Sequence, residues 1–484
     1  MLTEGVVLSV IGGIGGLALG VAGLRGLIAM SSRQLPGATD ATLQPIVLLF
    51  TLGLSIVTGL VFGLIPAIAV IRGNTASFLK DDSTRGSAGR GTGFARASLV
   101  VGETALALML LVGAGLLIKS FSRLQAVNPG FSTDNVLTAQ IALPPLRYAD
   151  AAARRAFWTR LIDKARSLPG VTAVGLTSNV PFNGSVSSGS YSIVGYTPGP
   201  NDTAPHGRQE VVGGDYFKAM QIPLVEGRVF NDADTADSTQ VVVVDQYLVN
   251  RYFPGQSALG HQIQRGGPDR PKLTIVGVVG TINSIDLAEP VIKERIYYPV
   301  TQAAQSRMAV TLKTTLDPTT LVAQVRQAVL SIDPDQPISD VRTMDQWVAR
   351  SLENRRTPTI LLALFGGVAL VLSAIGIYGV LAFGVAQRVR EFGIRQALGA
   401  NRQSILSLVL TQGLRTVAIG VALGLGGAYA LSRFLQTLLF GVGQHDISVF
   451  AGVTLLLLLV AIVACYVPAH RATEIDPMVA LRDS

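Results

Sequence analysis

Charge is scarce in this chain. Asp, Glu, Lys and Arg make up 14% of its 484 residues, against about 25% in a soluble domain, and mean hydropathy is +0.45. A wholly soluble protein is thereby excluded, and so is a disordered or collagen-like one. Cysteine is nearly absent. Cys465 alone, inside an apolar run, allows no disulfide framework, and no Cys/His spacing suits zinc. His206, His261, His445 and His470 are scattered, and the serines around Ser185–Ser190 lack a G-x-S-x-G elbow. Gly113–Ser120 fails as a phosphate loop because Ile118 stands where glycine must precede the lysine. Ile275–Gly280 lacks G-x-G-x-x-G and reads as a core strand. No catalytic constellation emerges, and no cofactor is expected on this chain.

What charge there is has a pattern. Residues 121–356 carry 23 Lys and Arg against 21 Asp and Glu, whereas the remainder carries 16 against 10. The excess flanks apolar segments, as positive-inside topology demands, and no basic–aromatic stripe marks a nucleic-acid binder. Glycine, at 52 residues, suits helices packed closely in a bilayer.

Uncharged runs at 5–24, 46–71, 357–387 and 447–469 are long enough to span a bilayer, which takes about 20 residues. Residues 97–118, holding Glu103, and 403–432, holding Arg415, bring the expected number of spans to six. Arg72, Lys80, Arg85, Arg90 and Arg96, then Arg388, Arg390, Arg395 and Arg402, and Arg471 and Arg482 in the tail, place those loops and both termini in the cytoplasm. Residues 121–356 then lie outside. There, strands are expected at 135–143 and 171–176 around a helix at 151–168, and again at 308–313 and 337–342 around a helix at 318–332. Strands near 240–244 and 273–279 mark a β-rich lobe inserted between these two βαβ-like units. The fold class is thus an α-helical membrane protein with about six transmembrane helices and a large extracytoplasmic α+β domain. The polar stretch 345–353 reads as a helix running on into the span at 357–387.

An internal repeat adds to this. Leu2-Thr3-Glu4-Gly5 matches Leu410-Thr411-Gln412-Gly413, with Gly12, Gly16 and Arg25 falling on Gly420, Gly424 and Arg433. Pro66-Ala67 matches Pro468-Ala469, and Leu79-Lys80-Asp81 matches Leu481-Arg482-Asp483. The first two spans then copy the last two of a second unit, and the expectation is a chain that begins partway through a duplicated protein. Gly12, Gly16 and Gly20 form a G-x-x-x-G ridge, echoed at Gly420 and Gly424, suited to close helix packing. Glu103 is costly inside a span. One acid without a second acid or histidine in another span points to an interhelical hydrogen bond, or a protonated acid near the cytoplasmic face, rather than a proton relay.

The segment 389–398 alternates apolar Val389, Phe392, Ile394, Ala397 and Leu398 with polar Arg390, Glu391, Arg395 and Gln396. A short amphipathic helix at the membrane surface would result, with Gly393 and Gly399 allowing close approach or a helix end. Two readings of the residues compete, a lever into a soluble partner and a basic loop lying on anionic lipid.

Several motifs carry a resemblance. Arg390-Glu-Phe-Gly-Ile-Arg-Gln-Ala-Leu-Gly-Ala400 resembles the coupling segment of MacB/FtsX-type ABC transporter permeases, and residues 468–482 resemble their C-terminal pattern. Leu111–Ile118 and Asn128–Phe131 resemble the duplicated permeases of acidobacteria. One span, an external domain and three further spans is also that family's layout. The resemblance implies Arg390, Glu391, Phe392, Gly393, Ile394, Arg395, Ala397, Leu398 and Gly399 as ATPase-coupling residues. It implies a bacterial inner-membrane permease that binds no ATP itself and draws on a separate ABC ATPase subunit. A second permease unit (a homodimer or a missing N-terminal half), a periplasmic adaptor and membrane lipids are the other implied partners. The division expected is 1–72 for the last two helices of a first FtsX-like unit and 73–94 for a cytoplasmic linker. A span at 95–120, a MacB-type periplasmic core at 121–356 and an FtsX-like permease domain at 357–484 follow. Its motion would serve export or efflux. The competing class is a scaffold or signalling protein that regulates a periplasmic partner such as a cell-wall hydrolase.

Overall fold

The computed structural model describes residues 2–30, 45–72, 88–197, 199, 203–266, 270–288, 293–398 and 400–473. The chain divides into two compact units. One comprises Met1–Gly113, Ala363–Arg433 and His445–Ser484, the other Ala114–Leu362 and Phe434–Gln444. The short segment 434–444 thus belongs with the large polar region, which its sequence did not announce.

The first unit is built of helices α1 (Leu2–Met30), α2 (Pro45–Arg72), α3 (Ala88–Gln125), α10 (Glu353–Gln387), α11 (Val389–Ala397), α12 (Arg402–Ser432) and α13 (Ile447–Thr473). Helices α3 and α10 contribute residues to both units. α1 packs on α2 and α12 on α13, the pairing the repeat implies. Four stretches are long and apolar enough to cross a membrane: Arg96–Gln125, Glu353–Gln387, Arg402–Leu435 and Ile447–Thr473. Of the six spans expected, these four are long and apolar enough among the described residues. α1, of 29 residues, and α2, of 28, carry shorter apolar stretches at Ser9–Gly23 and Pro45–Leu60 among the described residues. The linker 73–87 and the L-[KR]-D endings at 79–81 and 481–483 lie outside the described residues.

The second unit contains one sheet of eleven strands: β1 (Val136–Ala142), β2 (Val171–Thr177), β3 (Ser188–Ile193), β4 (His206–Gly214), β5 (Leu224–Gly227), β6 (Val241–Asp245), β7 (Gln262–Arg265), β8 (Lys272–Val279), β9 (Arg295–Pro299), β10 (Arg307–Thr314) and β11 (Ile338–Thr343). Its helices are α4 (Ala151–Arg166), α5 (Tyr216–Ala219), α6 (Gln246–Tyr252), α7 (Val300–Ala303), α8 (Val322–Leu330) and α9 (Met344–Ser351). At one end the order is β11-β1-β10-β2, all antiparallel neighbours. The pairs β1/β2 and β10/β11 are therefore parallel, each split by a strand of the other. This is the interleaved split-βαβ arrangement of ferredoxin-like folds. At the other end β4, β3, β7, β8, β6 and β9 close on themselves, because β9 pairs back to β4. The two lobes expected from the sequence are thus hydrogen-bonded into one sheet, with β4 the shared strand.

Strand periodicity explains the split core. Along β1, Leu137, Ala139 and Ile141 enter one hydrophobic cluster and Val136 the other, because alternate side chains leave opposite faces. Phe157, Trp158, Leu161, Ile162 and Ala165 make the buried stripe of α4. Each large apolar side chain buried there contributes about 1.5–3 kcal/mol. Trp158 Nε1 donates to the Gln305 carbonyl at 2.8 Å, so its one polar atom is satisfied.

The polar helix at 345–353 does not continue into the next span. α9 opens with a capping box between Thr343 and Gln346 and ends before Leu352, and α10 starts at Glu353. Leu352 is 4% exposed within the second hydrophobic cluster. Burying that side chain fixes the break, and the stiff continuous rod expected from the sequence is replaced by two helices.

Candidate functional site

The segment with the most specific sequence signal forms α11, a nine-residue helix. Its faces divide differently from a simple apolar–polar alternation. Phe392 is 2% exposed and Gly393 is buried, whereas Ile394 and Leu398 are 41% and 83% exposed. Ala397 is exposed beside them. At spacings of three and four residues, Ile394, Ala397 and Leu398 share one face. Glu391 and Arg395 pair at 2.7 Å along the same helix, one turn apart. Phe392 anchors the helix, and a bare apolar face with a salt-bridged edge is left outward. Arg390 stands on α11 with its side chain outside the described set, and Gly399 lies outside the described residues.

Both ends of α11 are fixed. The Gln396 amide donates to the Thr473 carbonyl at the end of α13, at 3.4 Å. Asn401 caps α12, its side chain accepting from Gln403 N at 3.3 Å. At the other end Arg388 Nη1 donates to Gln412 Oε1 at 3.3 Å.

Small residues set the approach of the long helices. Gly420 and Gly424 of α12 are buried against α3. An added Cβ would lie 2.8 Å from Thr104 Cβ at the first and 2.9 Å from Leu108 Cβ at the second. Their repeat equivalents Gly12 and Gly16 behave otherwise, and so does Gly20: a Cβ there would meet no atom of the described residues within 4 Å. The close approach of α1 to α2 is made at Gly13, which faces Ser55.

Glu103 is half-buried on α3 with its carboxylate against Gly376 of α10. The adjacent Thr104 shares a buried hydrogen bond with Ser373, 3.2 Å between hydroxyl oxygens. Sequence reasoning singled out the acid and missed its glycine seat and the Thr104–Ser373 bond. Thr104 next to Glu103 was the available signal.

The large unit buries a polar network around the closed ring of strands. Arg295 Nη1 donates to Glu210, its Nη2 to Ser284 Oγ at 2.7 Å, and its backbone N–H to Asp245 Oδ1 at 3.1 Å. Asp245 also caps α6 by accepting from Leu248 N at 3.0 Å. It is 1% exposed, and its Oδ2 has no partner. Burial pushes its carboxyl up to about 7, against the hydrogen bonds from the Arg295 and Leu248 N–H groups. Burial likewise raises Glu210, with Arg295 opposing. Elsewhere the hydrogen bond from Tyr148 holds Asp333 below the usual carboxylate range. These groups sit inside the fold, lining no large cavity, and read as structure.

Comparison with known proteins follows this division. The family described as MacB-like periplasmic core domain matches residues 92–328, and FtsX-like permease C-terminal matches residues 363–477. The chain is 28% identical over 281 residues to the probable export ATP-binding/permease protein MacB of Pseudomonas entomophila, covering 56% of this chain and 41% of that protein. It is 23% identical over 274 residues to the uncharacterized ABC transporter permease YknZ of Bacillus subtilis, covering 55% and 68%. The periplasmic region of MacB from Actinobacillus actinomycetemcomitans aligns at 17% identity and a TM-score of 0.31, over 46% of this chain and 95% of that one. The chain spans 41% of the length of the first curated relatives it matches. An amphipathic surface helix between membrane-length helices, an extracytoplasmic-type sheet domain and both family matches converge: the chain belongs to the MacB/FtsX-type ABC transporter permeases.

Proposed function

We propose that this chain is the permease of an export system in which a separate ABC ATPase pushes on α11, and the motion passes through the membrane helices to the large sheet domain. The observation that carries this reading is the outward face of α11. Ile394 and Leu398 stay exposed on a helix whose other side is anchored by buried Phe392. Apolar surface held bare beside a salt-bridged pair is what a groove on a soluble partner would cover. Relatives named as joint ATP-binding/permease proteins support the ATPase as that partner, and their names support export.

A second permease unit is part of the same reading. Gly12, Gly16 and Gly20 present small residues over which no described residue of this chain lies, and a neighbouring unit's helix is the proposed occupant.

The test is co-purification of the tagged full chain from its native membranes in mild detergent, with mass spectrometry and an ATPase assay. An ATPase subunit should be recovered with the native chain and lost with the Ile394→Asp/Leu398→Asp pair. Recovery unchanged by the substitutions, or no ATPase with either chain, would overturn the coupling role.

A further inference from the structure

Where α10 gives way to α11, helices α3, α10, α11 and α12 enclose a groove of about 200 Å³. Two cations face it. The Arg96 guanidinium carbon lies 3.9 Å above the centroid of the Phe383 ring, and Arg388 is held by Gln412. Arg388 follows Phe383 by five residues, about 7.5 Å further along the helix axis. Among the described residues no carboxylate pairs with either arginine, and Glu391, the nearest acid in sequence, is taken by Arg395. The remaining wall is apolar, including Leu381, Val385 and Leu408. Two like charges with no carboxylate partner among the described residues, set at the end of a membrane-length helix beside an apolar wall, have the complementarity of one ligand class.

We propose that this groove binds an anionic phospholipid, phosphatidylglycerol or cardiolipin in class. Arg96 and Arg388 receive the headgroup phosphates, since planar guanidinium groups engage phosphate oxygens in pairs. The stacking of Arg96 on Phe383 holds one fork in place before the lipid arrives. A zwitterionic lipid brings an ammonium into the same space and loses the advantage. Because Phe392 of α11 also lines the groove, a bound lipid would be part of the bed on which α11 rests. The inference depends on α10 and α12 lying in a membrane and is independent of the ATPase reading.

The experiment uses the full chain, delipidated in detergent and titrated by native mass spectrometry with cardiolipin, phosphatidylglycerol or phosphatidylethanolamine. The anionic lipids should bind in preference to phosphatidylethanolamine. The Arg96→Gln/Arg388→Gln pair should weaken that binding by about tenfold or more. The Arg96→Lys/Arg388→Lys pair should recover part of it, and Arg415→Gln, which removes an exposed charge of α12 outside the groove, should leave it unchanged. A second readout needs no variant: cardiolipin should protect Arg96 and Arg388 of the native chain from phenylglyoxal, and phosphatidylethanolamine should not. Unchanged affinity in the glutamine pair, equal binding of the zwitterionic lipid, or absence of protection would overturn the site. Displacement of cardiolipin by inorganic phosphate would overturn the lipid as the source of the anion. None of these readouts involves the ATPase, so failure here and failure of the coupling role are separable.

Discussion

Asp245 shows what a single residue costs and gives in this fold. Its Oδ1 satisfies two backbone donors, Leu248 N and Arg295 N, while Oδ2 has no partner. The carboxyl is raised to about 7 by burial, so the folded state favours the protonated form. As pH rises above the unfolded value near 3.8, the unfolded chain releases this proton first and stability falls. The loss is complete once pH passes the folded value. Asp245→Asn keeps an acceptor for both donors and never ionises. At pH 8 the variant should therefore be more stable than the native chain by about 1–3 kcal/mol, with no gain at pH 4. Both tryptophans of the sequence, Trp158 and Trp347, lie in the sheet unit. Tryptophan fluorescence during thermal unfolding of the full chain thus reports on the unit that holds Asp245. A gain of equal size at both pH values would mean that Asn packs better, and that the titration is irrelevant.

At the scale of elements, the two copies of the glycine ridge make a controlled comparison. Gly424 lies under Leu108 Cβ and the Ala105 carbonyl of α3, the latter 3.0 Å from an added Cβ. Gly424→Ala should force α3 and α12 apart and cost about 1–3 kcal/mol, the usual penalty of overpacking. Gly16→Ala, its equivalent on α1, meets no atom of the described residues and should leave the melting temperature of the detergent-solubilised full chain unchanged or slightly raised by better helix propensity. Thermal aggregation followed by size-exclusion chromatography reads both. The same comparison shows how far sequence reaches. Spacing identified the ridge at Gly420 and Gly424, the four long spans, the αβ order at the ends of the external region and the amphipathic α11. Those signals are periodic and local. Pairing of β9 back to β4 and of β1 with β10 joins residues far apart in sequence, which periodicity along the chain does not report. The end of α9 at Leu352 was illegible for a related reason, since it follows from which cluster that leucine enters. Likewise, composition marked α11 as amphipathic, and only the fold shows that Phe392 turns in while Ile394 and Leu398 turn out.

For the molecule as a whole, the open question is what stands against α1. In the C-terminal half the ridge at Gly420 and Gly424 receives Thr104 and Leu108 of α3. The N-terminal ridge, 408 residues earlier at Gly12 and Gly16, receives no side chain from the described residues. Helix association in a bilayer rests on close backbone approach through such residues, since lipid offers no hydrophobic penalty to drive it. A second copy of the chain is the simplest unit to supply the missing helix, and closed two-fold assembly would bring the ridge of each copy to its partner. Cys465 is the sole native cysteine and is buried, so a Cys465→Ala background removes it with little disturbance. In membranes under mild oxidation, Gly16→Cys in that background should form a disulfide-linked dimer. Ile14→Cys, 64% exposed and about 200° away around the helix, should remain monomeric. Dimer formation at both positions would indicate random collision. Its absence at both would remove a second copy as the occupant and leave a different permease unit to fill that face.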